Sequence, residues 1–94
     1  MQDLKIGILQ FDQVWQDKQA NFEKISELLA VQKTDIDLLL LPEMFQTGFT
    51  MDVSFAEEMN GPSIQILTEL ARSRNCAIYT SLIIEEKQNF FNRG

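Results

Sequence analysis

The run of four leucines, Leu38–Leu41, constrains the fold more than any other stretch of this sequence, because it is followed at once by Pro42 and Glu43. Four consecutive apolar residues are too few for a helix, and a proline stops regular structure. The run therefore predicts a short strand that is buried on both faces, as in a covered parallel sheet. It also puts a carboxylate just beyond the carboxyl end of that strand, where ligands of open α/β sheets bind.

The patterns on either side of the leucine run predict alternating strands and helices. The predicted elements are a strand at Leu4–Phe11, a helix from the Asp17 cap to about Val31, a turn at Thr34–Asp37, the leucine strand, a long loop at Met44–Asn60, a helix opened by Gly61-Pro62-Ser63 and stopped at Asn75, a strand at Cys76–Ile84, a turn at Glu85–Gln88 and a strand beginning at Asn89–Asn92. This β-α-β-α-β-hairpin order is an α/β pattern with parallel strands and right-handed crossovers.

The pattern leaves the placement of the two helices open. They lie on opposite faces of the sheet in a small doubly wound domain, or they share one face and leave the other to a layer that these residues do not contain. The apolar pair Phe90-Phe91, in a strand that stops at Gly94, favours the second arrangement. We therefore expect residues 1–94 to be the N-terminal portion of a larger single domain.

Composition excludes several classes of function. A net charge of −6, from 14 acidic and 8 basic residues, argues against nucleic acid or an anionic membrane as the main partner. No apolar run approaches the length of a membrane span, and Met1-Gln2-Asp3 does not begin a signal peptide, so we expect a cytoplasmic protein. The chain has no histidine and one cysteine, Cys76. Catalysis must then use carboxylates, lysine or that thiol, and no metal site is expected.

Glu43 is the candidate catalytic base, although its position alone is more typical of a solvated acid in a turn. The large apolar residues of the following loop either wall a substrate pocket or pack the loop against the protein. The candidate substrate-binding residues are Phe45, Thr47, Phe49 and Met51. The remaining acids of interest are predicted to be solvated and to have no role at a site: Glu57, Glu58, Glu85 and Glu86.

Several stretches resemble motifs of the carbon–nitrogen hydrolase (nitrilase) superfamily. They are DLLLLPEMFQTGF (Asp37–Phe49), the opening KIGILQFDQVWQDKQANFEKI with Trp15, Asp17 and Asn21, the helix entry Asn60-Gly61-Pro62-Ser63, and Ala77–Ile84 followed by Asn89–Arg93. Within that superfamily, PEMFQTGFTM is most similar to the omega-amidase branch, which hydrolyses the terminal amide of short dicarboxylate monoamides such as 2-oxoglutaramate.

The resemblance implies a fold, a chemistry and partners. The fold is a four-layer α-β-β-α sandwich, and the chemistry is amide or nitrile hydrolysis by a Glu–Lys–Cys triad without a metal or an organic cofactor. The substrate is a small-molecule amide, and the full-length parent is expected to be a homodimer. Only the glutamate is carried over, to Glu43, because the family's lysine and cysteine motifs lie downstream of the matched stretches. The 94 residues alone are therefore expected to be inactive.

Two substitutes for that chemistry remain as weaker hypotheses. A triad of Glu43, Lys87 and Cys76 lacks the family's surroundings at the last two positions, and a buried free cysteine is usually inert. A thiol sensor built on Cys76 requires an accessible sulfur. The principal alternative from another class of function is a self-contained α/β ligand-binding or regulatory module without catalysis, with helices on both faces of its sheet.

Overall fold

A computed structural model describes residues 3–32 and 35–94 of the chain. Its elements in chain order are β1 (Ile6–Ile8), α1 (Lys18–Ala30), β2 (Leu38–Leu40), a 3-10 helix (Val53–Phe55), α2 (Pro62–Arg74), β3 (Ala77–Tyr79), β4 (Leu82–Glu86) and β5 (Asn89–Arg93). The α/β class is confirmed. Met1, Gln2 and Thr34 lie outside the described ranges, which therefore contain only part of the N-terminal tripeptide and of the predicted turn at Thr34–Asp37. Within those ranges, no helix is both long enough and apolar enough to cross a membrane.

A parallel sheet with the strand order β1-β2-β3 forms the centre of the molecule. Gly7, Leu39 and Ile78 lie side by side across it, so they share one face. Leu39 is buried, whereas Leu38 and Leu40 on the opposite face are only half-buried. Within the described residues only one face of β2 is covered, as the second of the two predicted helix arrangements requires.

Both helices cover the same face of the sheet. Ile25 and Leu29 of α1 form a hydrophobic cluster with Leu39, and Leu67 of α2 packs against the same cluster. The guanidinium of Arg74, at the end of α2, donates a hydrogen bond to the Leu29 carbonyl and so joins the two helices directly. The doubly wound arrangement, and with it the prediction of a module with helices on both faces, is wrong.

The other face of the sheet is open and apolar. Ile6, Ile8 and Tyr79 expose 51%, 70% and 62% of their surface there, beside the half-buried Leu38 and Leu40. Burial of large apolar side chains is the main source of folding free energy. In the described residues, this face leaves such side chains in contact with water.

The ends of the helices follow the predicted capping residues. The Asp17 carboxylate accepts a hydrogen bond from the Ala20 amide at 3.0 Å and caps α1. At the start of α2, Pro62 occupies the first turn, where a missing amide proton costs nothing. Asn75 ends α2 in the left-handed conformation with φ 52°, and its amide bonds to helix carbonyls. These boundaries are local properties of the chain, which explains why the sequence pattern predicts them.

The predicted third strand, Cys76–Ile84, is broken at Thr80 and Ser81 into β3 and β4, and this is a correction to the sequence interpretation. Both side chains bind the segment after β2: the Thr80 hydroxyl donates to the Pro42 carbonyl at 2.9 Å, and the Ser81 hydroxyl accepts from the Met44 amide at 2.9 Å. The chain leaves the first sheet at this point, and β4 pairs with β5 in a separate antiparallel hairpin.

The hairpin turn is shorter than the predicted Glu85–Gln88. Glu85 and Glu86 belong to β4, and the turn consists of Lys87 and Gln88 alone, which both have positive φ, 51° and 66°. Two successive residues with positive φ give a backbone twist that matches the twist of paired strands. The hairpin brings the last residues of β5 back towards the segment that follows β2.

Candidate active site

Glu43 lies directly beyond the carboxyl end of β2, as the leucine run predicts. Its side chain is exposed and accepts a hydrogen bond from the side-chain amide of Asn92 on β5. A cleft of about 340 Å³ opens here, and its lining residues are Leu41, Glu43, Tyr79, Thr80, Ser81, Asn92 and Gly94. The carboxylate thus faces an open cleft while a neutral amide holds it, which is a setting in which a base can reach a bound molecule.

The backbone on both sides of Glu43 is held by the break between β3 and β4. The bond from Thr80 reaches the residue before Glu43, and the bond to Ser81 reaches the residue after it. Ser81 is buried, so its hydroxyl is a fixed partner that water does not replace. The two hydroxyls therefore set the direction in which the chain presents the Glu43 side chain.

The turn after Glu43 contains two residues in the left-handed region. Met44 has φ 47°, and its carbonyl accepts hydrogen bonds from the Gln13 side chain at 3.1 Å and from the amides of Thr47 and Gly48 at 3.2 and 3.0 Å. Such a conformation is uncommon for a residue with a side chain, and these bonds offset its cost. Gly48 has φ 77°, a conformation that glycine adopts without strain, and a Cβ there would lie 3.0 Å from the Trp15 ring.

Asn21 ties this turn to helix α1. Its side chain is fully buried, and its amide oxygen accepts from the Val14 amide at 2.7 Å while its nitrogen donates to the carbonyls of Val14 and Gln46. Sequence reasoning assigned Asn21 no function beyond its part in the resemblance. The available signal was its spacing, because an asparagine four residues before Ile25 occupies the buried stripe of the helix, where a polar side chain must find partners.

The structure separates the four predicted substrate-binding residues into two pairs. Phe45 is fully buried and makes an edge-to-face contact with Phe22 at a centroid distance of 5.2 Å, and Thr47 is buried as well. Phe49 and Met51 are 63% and 86% exposed. The exposed pair lines a depression of about 140 Å³ that also includes Asn92, so it borders the Glu43 cleft. Contact of any of the four with a substrate stays a prediction.

Cys76 and Lys87 do not approach Glu43. Ala77 pairs with Leu38, so Cys76 lies at the amino edge of the sheet, whereas Glu43 lies beyond the carboxyl edge. Cys76 is level with Asp37, and β2 together with Leu41 and Pro42 separates Asp37 from Glu43 along the chain. Lys87 lies in the hairpin turn. Cys76 is half-buried and packs against the hydrophobic core, as predicted for an inert thiol, which disfavours both the substitute triad and the thiol sensor.

Glu57 is the carboxylate that sequence reasoning misjudged. It was expected to be solvated, but 12% of its side chain is exposed, and it forms an ion pair with Lys18 at 2.5 Å. Its oxygens also accept from the Ser63 amide at 2.8 Å and from the Ser63 hydroxyl at 2.5 Å. Burial alone would raise the pKa of Glu57, but the hydrogen bonds from Lys18 and Ser63 outweigh it and hold that pKa below its ordinary value. The other three acids are exposed, as predicted: Glu58, Glu85 and Glu86.

The described residues offer no obvious place for a metal ion. Across residues 3–32 and 35–94, no three side chains of histidine, cysteine, aspartate or glutamate come together in a group that could hold one. The cleft beside Glu43 contains one carboxylate and otherwise neutral or apolar groups.

The profile of a protein family described as carbon-nitrogen hydrolase matches residues 5–94, nearly the whole of the described structure. The chain belongs to the carbon-nitrogen hydrolase family. This match confirms the resemblance drawn from the Glu43 motif and its neighbours.

Three relatives in the carbon-nitrogen hydrolase family show how far the similarity extends. An omega-amidase YafV from Escherichia coli K12 is 31% identical over 93 residues, which are 99% of this chain and 36% of that protein. An omega-amidase YafV from Yersinia enterocolitica is 44% identical over 55 residues, which are 57% of this chain and 21% of that protein. The crystal structure of XC1258 from Xanthomonas campestris, a CN-hydrolase superfamily protein with an arsenic adduct in its active site, superposes with a TM-score of 0.89 at 31% identity over 98% of this chain and 35% of that one.

The chain thus spans about a third of the length of the carbon-nitrogen hydrolases that it matches. The omega-amidase relatives confirm the branch that the PEMFQTGFTM stretch resembles.

Proposed function

We propose that this chain supplies the glutamate segment of an amidohydrolase that cleaves the C–N bond of small carboxylated amides, as an omega-amidase does. The observation that carries the proposal is the position of Glu43 in the open cleft beyond β2, within a family match over residues 5–94. In open α/β sheets this edge is where ligands bind and where reacting side chains are placed.

The proposed reaction proceeds through a covalent thioester. A cysteine thiol gives its proton to the Glu43 carboxylate, and its sulfur attacks the amide carbon while a lysine ammonium stabilises the oxyanion that forms. The C–N bond then breaks, and Glu43 passes the proton to the leaving ammonia. In the second half, Glu43 takes a proton from water, the water oxygen attacks the thioester carbon and the C–S bond breaks. Glu43 returns the proton to the leaving thiolate, and the carboxylic acid is released.

We place the lysine and the cysteine of this triad in the part of the relatives' length that these 94 residues do not cover. Cys76 lies at the wrong edge of the sheet, and Lys87 lies in the turn of the β4–β5 hairpin. The 94 residues alone are therefore proposed to be inactive.

The wider architecture follows from the same proposal. The open face with Ile6, Ile8 and Tyr79 is the surface that a second sheet would cover in a four-layer α-β-β-α sandwich. We further propose a cytoplasmic homodimer that needs no metal or organic cofactor, with a small-molecule amide as its partner.

The test compares three proteins for ammonia release from 2-oxoglutaramate. They are the 94-residue chain, a longer chain that continues through the family's lysine and cysteine motifs, and that longer chain with Glu43→Gln. We expect turnover by the longer chain only, and a loss of at least about a thousandfold in kcat for Glu43→Gln, because a proton carrier and water activator is removed from both half-reactions. Turnover by the 94 residues would sink the proposal that the uncovered part is required.

A further inference from the structure

A polar network with little exposure to water connects Glu57 to the turn that carries Glu43. One carboxylate oxygen of Glu57 accepts from the Ser63 amide, and the other accepts from both Lys18 and the Ser63 hydroxyl. Lys18 lies in the first turn of α1 and Ser63 in the first turn of α2. Glu57 therefore joins the starts of both helices, and Lys18 compensates its charge.

The network continues from Ser63 to Gln46. The side-chain nitrogen of Gln46 donates to the Ser63 hydroxyl oxygen, and both residues are nearly inaccessible, at 4% and 2% exposure. Gln46 lies three residues after Glu43, inside the turn of residues 43–47. Its backbone carbonyl is held by Asn21, so Ser63 holds the side chain and Asn21 holds the main chain of the same residue.

Glu57 determines the direction of the hydrogen bond between Ser63 and Gln46. A serine hydroxyl has one proton, and at Ser63 that proton is donated to the Glu57 carboxylate. The Ser63 oxygen can then act towards Gln46 only as an acceptor, which selects the donating end of the Gln46 amide. Capping of α2 by Glu57 requires only the hydrogen bond from the Ser63 amide. The additional bond from the Ser63 hydroxyl is not explained by helix capping and indicates a second role for Glu57.

We propose that Glu57 is a positioning residue for Glu43, acting through Ser63 and Gln46 to hold the turn of residues 43–47 in one conformation. The inference rests on the proposed catalytic role of Glu43 for its functional meaning. Its structural content, the coupling of Glu57 to the turn, stands independently of any activity.

Amide hydrogen exchange of the 94-residue chain tests the structural coupling. The amides of Thr47 and Gly48 both bond to the Met44 carbonyl and report opening of the turn, whereas the Cys76 amide bonds to the Ala71 carbonyl and reports the far end of α2. In Ser63→Ala, which keeps the ion pair of Glu57, we expect exchange about tenfold faster at Thr47 and Gly48 and unchanged at Cys76. Glu57→Gln is expected to give the same pattern or a larger one.

Two matched controls separate the network from general effects. Ser73→Ala removes an exposed hydroxyl that bonds within α2, and Glu58→Gln removes the charge of the exposed neighbour of Glu57. Both are expected to leave exchange at Thr47 and Gly48 unchanged. If Glu57→Gln unfolds the chain, Ser63→Ala decides, and unchanged exchange of the turn in Ser63→Ala overturns the proposal.

A kinetic experiment on the longer, active chain tests the positioning role itself. We expect Glu57→Gln to lower kcat about tenfold at an unchanged KM, and the double variant Glu57→Gln/Gln46→Leu to lose no more than the larger single effect, because both changes break one path. Additive losses in kcat, or a change in KM alone, contradict the proposal. A longer chain with no amidase activity refutes the proposed function instead, and the exchange result still decides whether Glu57 holds the turn.

Discussion

The side-chain amide of Asn92 donates a hydrogen bond to the Glu43 carboxylate, and 49 positions of sequence separate the two residues. Asn92 lies near the end of β5, and the tight turn at Lys87 and Gln88 returns that strand to the cleft. The hairpin is thus part of the site, although it lies outside the parallel sheet that carries Glu43.

Replacing Asn92 by alanine should impair Glu43 without unfolding the chain. In the longer chain that we propose to be active, we expect Asn92→Ala to lower kcat about tenfold, because a hydrogen bond to a charged group contributes roughly 1.5–3 kcal/mol. Asn89→Ala, at an exposed asparagine of the same strand, is the control and should leave kcat within about twofold. Equal losses in the two variants would show that the hairpin, and not the bond to Glu43, matters.

The stability contributed by Glu57 should depend on pH. The pKa of Glu57 is lowered in the folded state, so the folded protein binds its proton less readily than the unfolded chain, and the stabilisation is present above the ordinary pKa of 4.5. It is lost as the pH falls through the lowered pKa. Urea unfolding of the unmodified chain and of Glu57→Gln should differ by about 2 kcal/mol at neutral pH, and the two free energies should converge once the pH has fallen below the lowered pKa of Glu57.

A second acid with a lowered pKa does not disturb that comparison. Hydrogen bonds from Ser54 lower the pKa of Asp52, which therefore contributes to acid sensitivity in both proteins alike. The difference between the two unfolding curves isolates Glu57. A gap that stays constant from neutral to acidic pH would mean that the charge of Glu57 is not what stabilises the fold.

Phe45 and Phe49 should behave differently although they lie four residues apart. Phe45→Ala removes a fully buried ring and should lower the free energy of unfolding by about 3–5 kcal/mol. Phe49→Ala removes an exposed ring and should change that free energy by no more than about 0.5 kcal/mol. In the longer protein, a raised KM for Phe49→Ala would support its predicted contact with substrate, and comparable losses of stability would contradict the burial of Phe45.

The open face of the parallel sheet should make the 94-residue chain associate or bind hydrophobic dye. The double variant Ile6→Thr/Ile8→Thr places β-branched polar residues on that face and should reduce dye fluorescence and self-association severalfold, with little loss of stability. Ile66→Thr, at an exposed position of α2, is the control and should change neither signal. Sedimentation and dye titration measure the two effects.

The sequence by itself determined the features that local interactions decide. Asp17 begins α1 and Asn75 ends α2 through hydrogen bonds to residues only a few positions away. The leucine run with Pro42 defines a strand and the position of Glu43 after it. These signals are strong because each depends on backbone geometry or on periodicity within a single turn or strand.

Tertiary structure alone decided which distant groups meet at the site. Lys18 and Glu57 are 39 positions apart, and Glu43 and Asn92 are 49 apart. Nothing in the local pattern therefore marks Glu57 as half-buried and ion-paired, or Asn92 as a partner of Glu43. The break at Thr80 and Ser81 has the same origin, because their hydroxyls bind the segment after β2. Long-range hydrogen bonds depend on how the helices and strands pack against one another, which is why the sequence predicted the position of Glu43 and the fold supplied its surroundings.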